Sequence, residues 1–335
     1  MVRSNVLKTK AKRPTKLLII HILEILKKYS DKNNAITQAT IMKELEGAHQ
    51  MKVKRQTVAD NLNALIENDM GVTKAASGKG YYYIPEFSTG EIRFLVDAVF
   101  SSKNISTTDA KTLAEKITML GSDNEGKRYR YIYKSGEISR AESISFFANL
   151  DTITEAIEKG KKVEFNYHSY GIDGKLKPRY GGKVYTVSPY FFLHNNGNCW
   201  LICTIEKYEK EGKLANYRVD FMADVKLSNK RLIPKSIDIP KFASENPYMF
   251  GGRDIVTATI KLNNEFASHT VFDRFGTKIR IRQKPDDTIL ADITVTEKSL
   301  IYLALQYGEE FEVVSPVETR DKIKEKIKQI KEKYE

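Results

Sequence analysis

Residues 53–67 read VKRQTVADNLNALIE, and the apolar residues in this stretch recur at helical spacing, which predicts one buried stripe. The members of the stripe are Val53, Val58, Leu62, Leu65 and Ile66. The polar residues on the remaining arc are Lys54, Arg55, Gln56, Thr57 and Asn61. A helix with an apolar back and with donors and acceptors at its N-terminal front is suited to the major groove of DNA. Taken alone, the stretch fits an ordinary solvated amphipathic helix equally well.

The surrounding sequence favours the DNA-reading interpretation. Residues 17–29 are rich in Leu and Ile and predict a long helix, and Thr37 is a candidate N-cap for a second helix. Two short strand-like runs follow, at 72–74 and 81–84. Helices and strands in this order predict a winged helix-turn-helix, in which residues 53–67 form the recognition helix.

The turn between the two strands, residues 75–80, is the predicted wing. Lys79 lies in this turn and Lys74 directly precedes it, so we expect both to contact DNA phosphates. The Gly-Lys-Gly sequence of the turn lacks the full spacing of a nucleotide-binding P-loop, and no helix follows it. A nucleotide site in this turn is therefore not expected.

Positive charge is concentrated at the N-terminal end. The whole chain has a formal net charge of +12, and residues 1–85 hold 15 Lys and Arg against 7 Asp and Glu, a net charge of +8. Basic residues that neutralise phosphates release counterions, and this effect dominates non-specific affinity for DNA. A basic N-terminal arm is formed by Lys8, Lys10, Lys12, Arg13 and Lys16. The arm fits either a DNA contact or a solubilising tail.

Length and composition limit the class of protein. At 335 residues, with 41% hydrophobic and 29% charged residues, the chain is expected to form two or three soluble globular domains. No apolar run approaches the length of a membrane span, and no signal peptide is recognised. The only cysteines, Cys199 and Cys203, exclude a disulfide framework, and their spacing favours core packing over metal ligation. We therefore expect a cytoplasmic protein with no cofactor, no metal site and no membrane partner.

The region after the hairpin is predicted to be helical at 91–100, 108–120 and 144–159. Between these helices lies the basic and aromatic run KRYRY at 127–131. Such a run fits a nucleic-acid contact by charge and stacking, or a half-exposed strand or linker, and we favour the second. Residues 87–144 are expected to join two domains and to supply dimer contacts.

Short strands are predicted between residues 162 and 232. Apolar and polar residues alternate at 162–167 and again at 217–221, where Arg218 and Asp220 share the polar face. Gly- and Asn-rich turns separate these runs. Several short strands at this spacing predict a small β-barrel.

Two segments resemble the WYL domain: VSPYFFLHNNGNCWLICTIEK at 187–207 and YRVDFMADVKL at 217–227. The Trp-Tyr-Leu triplet of that family appears here as Trp-Leu-Ile at 200–202, so its Tyr is missing. The resemblance is best over 145–233 and extends to the whole chain. Bacterial WYL proteins commonly combine an N-terminal winged helix with this domain and a C-terminal WCX extension, which residues 251–335 resemble.

The resemblance implies an Sm-like, SH3-type barrel that binds a nucleotide or a short single-stranded nucleic acid. The residues that match the expected pocket are Tyr167, His168, Ser169, Ser188, Tyr190, His194 and Arg218. Arg218 is the first candidate for an anion contact because a guanidinium presents a planar fork of donors. An ion pair with Asp220 or Glu164 would also explain Arg218. His168 and His194 fit solvated strand ends equally well.

The C-terminal part is predicted to be a small α/β domain. Strands are expected at 254–262, 277–283, 289–295 and 310–315, and helices at 299–306 and 318–334. The last helix carries Ile323, Ile327 and Ile330 at helical spacing, which predicts an apolar face that packs on a partner subunit.

The sequence thus predicts a multidomain α+β protein. Its four parts are a winged helix-turn-helix at 1–86, a helical linker at 87–144, an Sm-like/SH3-type WYL barrel at 145–235 and a WCX domain at 250–335.

The predicted function is that of a homodimeric, sequence-specific transcriptional regulator, a repressor, which binds double-stranded DNA under the control of a nucleotide or short nucleic-acid ligand. Base contacts are expected from Arg55 and Gln56, and phosphate contacts from Lys54 and Thr57. No enzyme motif is found, so no catalytic residue is assigned. Two alternatives stay open: a single-stranded nucleic-acid-binding protein whose helix-turn-helix contacts only protein, and a nucleotide-processing enzyme.

Overall fold

The computed structural model describes residues 15–121, 145–250 and 254–335. The basic arm apart from Lys16, and the basic and aromatic run at 127–131, lie outside the described residues. No described helix is long and apolar enough to cross a membrane.

The chain forms two units, one within residues 1–140 and one within residues 141–335. The N-terminal unit begins with α1 (Leu18–Tyr29), α2 (Gln38–His49), α3 (Arg55–Glu67), β1 (Val72–Lys74) and β2 (Tyr81–Tyr83). The strands β1 and β2 form an antiparallel hairpin, as predicted. The three helices share one apolar core with the hairpin, and the side chain of Thr37 caps α2 by accepting a hydrogen bond from the Thr40 amide at 3.3 Å.

The hairpin is fixed against the segment that precedes α2. The Ile36 amide donates to the Tyr81 carbonyl at 2.9 Å, and the Tyr81 amide donates back to Ile36 at 2.8 Å. Gly80 has a φ of +100°, and a Cβ at this position would lie 3.1 Å from the Ile36 carbonyl oxygen. Glycine is therefore required here both by the backbone conformation and by the close approach of the two segments.

Two helices complete the described part of the N-terminal unit, α4 (Thr89–Ser101) and α5 (Thr107–Thr118). They pack against each other. Ser88 and Glu91 form a capping box at the start of α4, and Ser106 caps α5 by accepting from the Asp109 amide. These helices agree with the sequence prediction to within two residues at each end.

The first half of the C-terminal unit is a six-stranded antiparallel sheet. Its elements are α6 (Phe146–Glu158), β3 (Lys161–Tyr170), β4 (Leu176–Pro178), β5 (Val184–Asn195), β6 (Asn198–Ile205), β7 (Leu214–Arg218) and β8 (Met222–Arg231). The strand order is β4-β3-β5-β6-β7, and β8 pairs with β3. The helix α6 packs on β8 and β3.

The described residues do not form the closed barrel that the sequence predicted. The predicted strand at 217–221 is interrupted, because Val219–Phe221 form a 3-10 turn between β7 and β8. After this turn the chain continues into β8, which pairs with β3. Among the described residues β7 does not pair with β8, so the sheet is not closed. Asp220 is consequently 2% exposed, whereas the alternating pattern had placed it on a solvated face.

The second half of the C-terminal unit is a four-stranded antiparallel sheet with order β10-β11-β9-β12. Its elements, with the connecting helix α7, are α7 (Ile239–Glu245), β9 (Ile255–Leu262), α8 (Glu265–Phe275), β10 (Arg280–Gln283), β11 (Ile289–Thr296), α9 (Glu297–Gln306), β12 (Phe311–Ser315) and α10 (Val317–Lys331). Ile323 of α10 is buried in the core of this sheet, whereas Ile327 and Ile330 are exposed.

Candidate functional site

The N-terminal front of α3 faces solvent. Lys54, Arg55 and Gln56 are all exposed, while Val58 and Leu62 on the opposite side of the helix have no exposed surface. The division between a polar front and an apolar back, predicted from the sequence, is therefore present in the structure.

Arg55 is held at the edge of a groove between α2, α3 and the hairpin. Its Nε donates to Gln38 Oε1 at 3.0 Å, and Gln38 Nε2 donates to the Tyr81 hydroxyl at 3.3 Å. The groove has a volume of about 390 Å³, and its lining includes Arg55 together with Lys79 and Gly80 of the hairpin turn. The helix front and the hairpin turn therefore border one concave surface.

The other predicted contacts of α3 are less free to reach a ligand. Gln56 donates to the carboxylate of Asp60 at 2.8 Å, one turn further along the exposed face. Asn61 is half-buried and donates to the carbonyl of Thr57 at 2.7 Å. Asp60 is a polar group of this face that the sequence analysis did not single out, and its carboxylate can accept a hydrogen bond from cytosine N4.

The two lysines of the hairpin are both exposed. Lys74 Nζ lies 5.9 Å from the centre of the Tyr81 ring, a cation–π distance that keeps the lysine beside the hairpin. Lys79 lies in the turn itself. Both are therefore available to anions on the surface of this unit.

In the C-terminal unit, five aromatic rings cluster beside the corner between β7 and β8. The rings belong to Phe165, Tyr167, Tyr185, Tyr217 and Phe221. Tyr167 is at the centre, with its ring 4.9 Å from that of Tyr217 and 6.2 Å from that of Phe221. Burial raises the pKa of the Tyr167 hydroxyl to about 12, so this group is a neutral donor and acceptor at physiological pH.

Three cationic side chains lie over this aromatic cluster. The guanidinium of Arg179 is 5.9 Å from the Tyr167 ring and 5.3 Å from the Tyr180 ring. Lys183 Nζ is 5.4 Å from the Tyr185 ring, and the Arg218 guanidinium is 4.0 Å from the Phe221 ring. We call this group, with the five rings and Tyr180, the aromatic-cationic face.

Arg218 is engaged in an ion pair, one of the two alternatives considered from the sequence. Its Nε and Nη2 donate to the carboxylate of Asp220 at 3.1 and 2.6 Å. The Arg218 side chain is 22% exposed and that of Asp220 is fully buried. This bidentate pair occupies two of the five N–H donors of a guanidinium, so up to three can meet another acceptor.

A side chain of α6 stabilises the corner that follows Arg218. Asn149, a buried residue of this helix, donates to the carbonyls of Val219 at 3.3 Å and Met222 at 2.9 Å. The Tyr167 hydroxyl accepts from the Arg218 amide at 3.1 Å. The backbone around Arg218 is thus held by two side chains that are distant in sequence.

Two of the predicted ligand residues lie in a different network. Ser188 is fully buried, donates to Glu209 at 2.6 Å and accepts from the Ile233 amide at 3.2 Å. Lys162 donates to the same Glu209 at 2.8 Å. The Tyr190 hydroxyl lies 3.1 Å from the Ile233 carbonyl oxygen, so this network ties the segment after β8 to the sheet.

The remaining predicted residues are on strands β3 and β5. Ser169 shares the face of β3 on which Tyr167 lies, and His168 points to the opposite face because side chains alternate along a strand. His194 is exposed at the end of the β5–β6 hairpin, and β6 separates its strand from the strand of Arg218. Among these residues, the structure shows Tyr167 beside Arg218, through the hydrogen bond from the Arg218 amide to the Tyr167 hydroxyl.

Arg179, Tyr180 and Lys183 were missed in the sequence analysis. They lie in KPRYGGK at 177–183, a short basic and aromatic segment that runs from the end of β4 to the start of β5. Such interleaving of basic and aromatic residues is the signal by which they can be found.

Other sites in the described residues carry less specific chemistry. A cavity of about 480 Å³ lies between β7, the segment 235–246 and the second sheet. Its charged lining residues are three lysines together with Asp238 and Glu245, so the lining does not favour an anionic ligand. Three side chains with metal-ligating atoms, His21, Glu24 and His49, come together in the N-terminal unit.

Two family models match the chain. The WYL domain matches residues 148–227, and the WCX domain matches residues 254–331. Both ranges lie inside the domains expected from the sequence at 145–235 and 250–335. No curated protein gives a significant sequence match.

Several solved structures share a distant similarity with the chain. Proteasome accessory factor B/C (PafBC) of Arthrobacter aurescens is 14% identical over 96% of this chain and 50% of its own, with a TM-score of 0.28. A CRISPR Cas-related protein is 14% identical over 95% and 84%, with a TM-score of 0.39, and IdeR of T. acidophilum is 15% identical over 66% and 100%, with a TM-score of 0.15. The chain thus spans half the length of PafBC. Similarity at this level transfers neither fold nor function to this chain.

Proposed function

We propose, because the chain contains a WYL domain followed by a WCX domain, that it is a DNA-binding transcriptional regulator controlled by a ligand. The N-terminal unit would bind duplex DNA as a winged helix-turn-helix with α3 as its recognition helix. The WYL domain would bind the ligand. The boundaries of this arrangement follow the four parts proposed from the sequence, with the linker at 87–144.

The observation that carries the DNA-binding proposal is the groove shared by α3 and the hairpin turn. Arg55 and Lys79 line it together, and Lys54 and Gln56 are exposed on the same helix front. A recognition helix reads bases with its N-terminal residues while nearby cations contact phosphates. We assign base contacts to Arg55 and Gln56 and phosphate contacts to Lys54, Thr57, Lys74 and Lys79, while Asn61 donates to the Thr57 carbonyl and supports the helix front.

The aromatic-cationic face is proposed as the ligand site. Rings that are exposed beside cations bind nucleic-acid bases by stacking and phosphates by charge. Tyr180 is 73% exposed and lies next to Arg179, so it offers an exposed ring surface to a base beside a cation. We infer a nucleotide or a short single-stranded nucleic acid as the ligand, bound by Arg179, Tyr180, Lys183 and Arg218.

We further propose that the regulator acts as a homodimer and as a repressor. A single winged helix reads a short site, and two copies on an inverted repeat read a longer one. The exposed Ile327 and Ile330 of α10 support a contact between subunits. Light scattering of the full-length protein at concentrations that saturate its DNA site tests this proposal, and a monomeric mass would contradict it.

The DNA-binding proposal is tested with the full-length protein and a randomised duplex library. We expect selection of a defined site, and loss of that selectivity in Arg55→Ala. Arg93→Ala is the matched control, because Arg93 is an exposed arginine of α4 in an ion pair with Asp97. Equal loss of selectivity in both variants would reject the assignment of α3 as the recognition helix. Binding only to single strands would favour the single-stranded alternative.

The ligand proposal is tested by measuring the binding of labelled nucleotides, and of single-stranded oligonucleotides of about eight nucleotides, to the full-length protein. Arg179→Ala and Tyr180→Ala should weaken binding, whereas Lys177→Ala, at an exposed position of β4 paired with Asp173, should not. Repression in a reporter assay should then lose its dependence on the ligand in Arg179→Ala. Hydrolysis of the nucleotide during the assay would instead support the enzyme alternative.

A further inference from the structure

Two helices of the N-terminal unit bring three metal-ligating side chains together. His21 and Glu24 are three residues apart on α1, and His49 is the last residue of α2. One ligating atom from each of the three lies within 4.8 Å of the others. The other three histidines of the chain, His168, His194 and His269, lie in the C-terminal unit.

The geometry of the group is close to what a metal ion requires. The His21 and His49 rings are stacked with their centroids 4.0 Å apart, and His21 Nδ1 lies 3.1 Å from Glu24 Oε2. Ligand atoms around a tetrahedral zinc ion lie roughly 3.3 Å apart, since Zn–N and Zn–O bonds are about 2.0–2.2 Å. Side-chain rotations that bring the three atoms from within 4.8 Å to about 3.3 Å of one another would complete the coordination.

We propose that His21, Glu24 and His49 form a binding site for a zinc-class transition metal ion. Two imidazoles and one carboxylate are a donor set that zinc accepts, with water in the fourth position. The exposure of the group fits this coordination. The His21 side chain is only 18% exposed, whereas that of Glu24 is 59% exposed, so one side of the group is open to a water ligand.

The position of the site gives the ion a structural role. It joins the first two turns of α1 to the C-terminus of α2, directly before Gln50, which adopts the left-handed conformation and begins the connection to α3. A bound ion cross-links two helices of one core and favours the folded unit over the unfolded chain, in which the three ligands are far apart. The site is independent of any DNA or ligand activity.

The test uses the full-length protein and zinc chloride, with competition against a chromophoric chelator. We expect one zinc ion per chain and a rise in the melting temperature of the N-terminal unit, while magnesium chloride has no effect because Mg²⁺ prefers oxygen ligands. His49→Gln should abolish this site, and Glu24→Gln should lower its affinity by about tenfold or more. His269→Gln, at an exposed histidine of α8, is the control and should bind zinc as the wild type does.

Glu24→Gln keeps the proposal testable if His49→Gln fails to fold, because Glu24 is on the surface and its substitution leaves the core intact. Circular dichroism establishes folding of each variant. Stoichiometric zinc binding of equal affinity in the wild type, Glu24→Gln and a folded His49→Gln would overturn the site. Absence of stoichiometric zinc binding by the wild type at micromolar concentration would overturn it as well.

Discussion

Replacement of Arg218 by alanine is expected to destabilise the WYL domain strongly, apart from any effect on a ligand. The Arg218 guanidinium forms a bidentate ion pair with Asp220, whose side chain is fully buried. Arg218→Ala would leave the Asp220 carboxylate, which is fully buried in the native structure, without its cation. A buried charge in this condition is among the most unfavourable outcomes of a single substitution.

The expected cost follows from the burial of the two partners. Removing one partner of a buried ion pair costs about 3–5 kcal/mol. Because the Arg218 side chain is 22% exposed, water can approach the carboxylate after the substitution, and the lower end, about 3 kcal/mol, applies. Loss of the guanidinium from the Phe221 ring, 4.0 Å away, adds roughly 0.5–1 kcal/mol.

The chain contains an internal probe for this measurement. Trp200 is the single tryptophan of the protein and pairs with Arg218 in the register of β6 and β7. Its fluorescence during a denaturant titration therefore reports on unfolding of this sheet. Arg218→Ala should lower the free energy of unfolding by about 3–4 kcal/mol. Lys177→Ala, which breaks an exposed pair with Asp173, should change it by less than about 1 kcal/mol.

The pair itself is separated from other effects by a double-mutant cycle. Asp220→Asn combined with Arg218→Met removes both charges. The double variant should lose less unfolding free energy than the two single variants lose in sum, by at least about 1 kcal/mol. Additive losses, or a cost for Arg218→Ala equal to that of Lys177→Ala, would refute the view that the buried carboxylate depends on this arginine.

Three further outcomes are expected. Arg55→Ala should cost about 1–3 kcal/mol of DNA-binding free energy at the preferred site. Lys79→Ala should weaken binding to all duplexes alike and should reduce the slope of log affinity against log salt concentration by the contribution of about one phosphate contact. Both effects are measured by DNA titrations at several salt concentrations. The free energy of unfolding followed by Trp200 should fall as the pH rises from about 10 to about 12, because Tyr167 loses its proton near its ordinary pKa when unfolded but only at about 12 when folded; Tyr167→Phe should reduce this fall. Cys199 and Cys203 should resist thiol reagents at pH 8 until the domain unfolds, because burial raises the pKa of both thiols.

Local patterns in the sequence were sufficient for the N-terminal unit. The helical spacing at 53–67 predicted α3, the candidate cap Thr37 marks the start of α2, and the two strand-like runs form the hairpin. Each of these features depends on residues within one helix or one turn, so their physical cause is visible in a short window of sequence.

The corner between β7 and β8 was not predictable in this way. Residues 217–221 alternate between apolar and polar types, as a continuous strand does, yet Val219–Phe221 form a 3-10 turn. The amide of Asn149, about 70 residues earlier in the chain, donates to the carbonyls of Val219, the first residue of this turn, and of Met222, the residue that follows it. Because the group that stabilises the turn is distant in sequence, a local pattern does not reveal it.

Long-range contacts also decide which polar residues are available at the candidate ligand site. Ser188 matched the expected pocket by its place beside a proline, but Glu209 and the Ile233 amide already satisfy its hydroxyl. Arg179 was not predicted from the sequence, because it lies in the segment that connects β4 and β5 and follows no strand or helix pattern. The fold places its guanidinium over the Tyr167 ring. The resemblance thus identified the domain, while the side chains that face its surface required the structure.

Of the two interpretations that the sequence left open for Arg218, an anion contact and an ion pair, the structure contains the ion pair. Asp220 neutralises Arg218, so the uncompensated positive charge offered to a phosphate comes mainly from Arg179 and Lys183. Arg218 instead fixes the corner and presents its remaining donors at a set angle. At the proposed ligand site we therefore expect a variant of Arg218 to disturb binding chiefly through the fold, and a variant of Arg179 to disturb it directly. Loss of ligand affinity in Arg179→Ala without loss of stability is consequently the cleaner signature of a ligand site on this face.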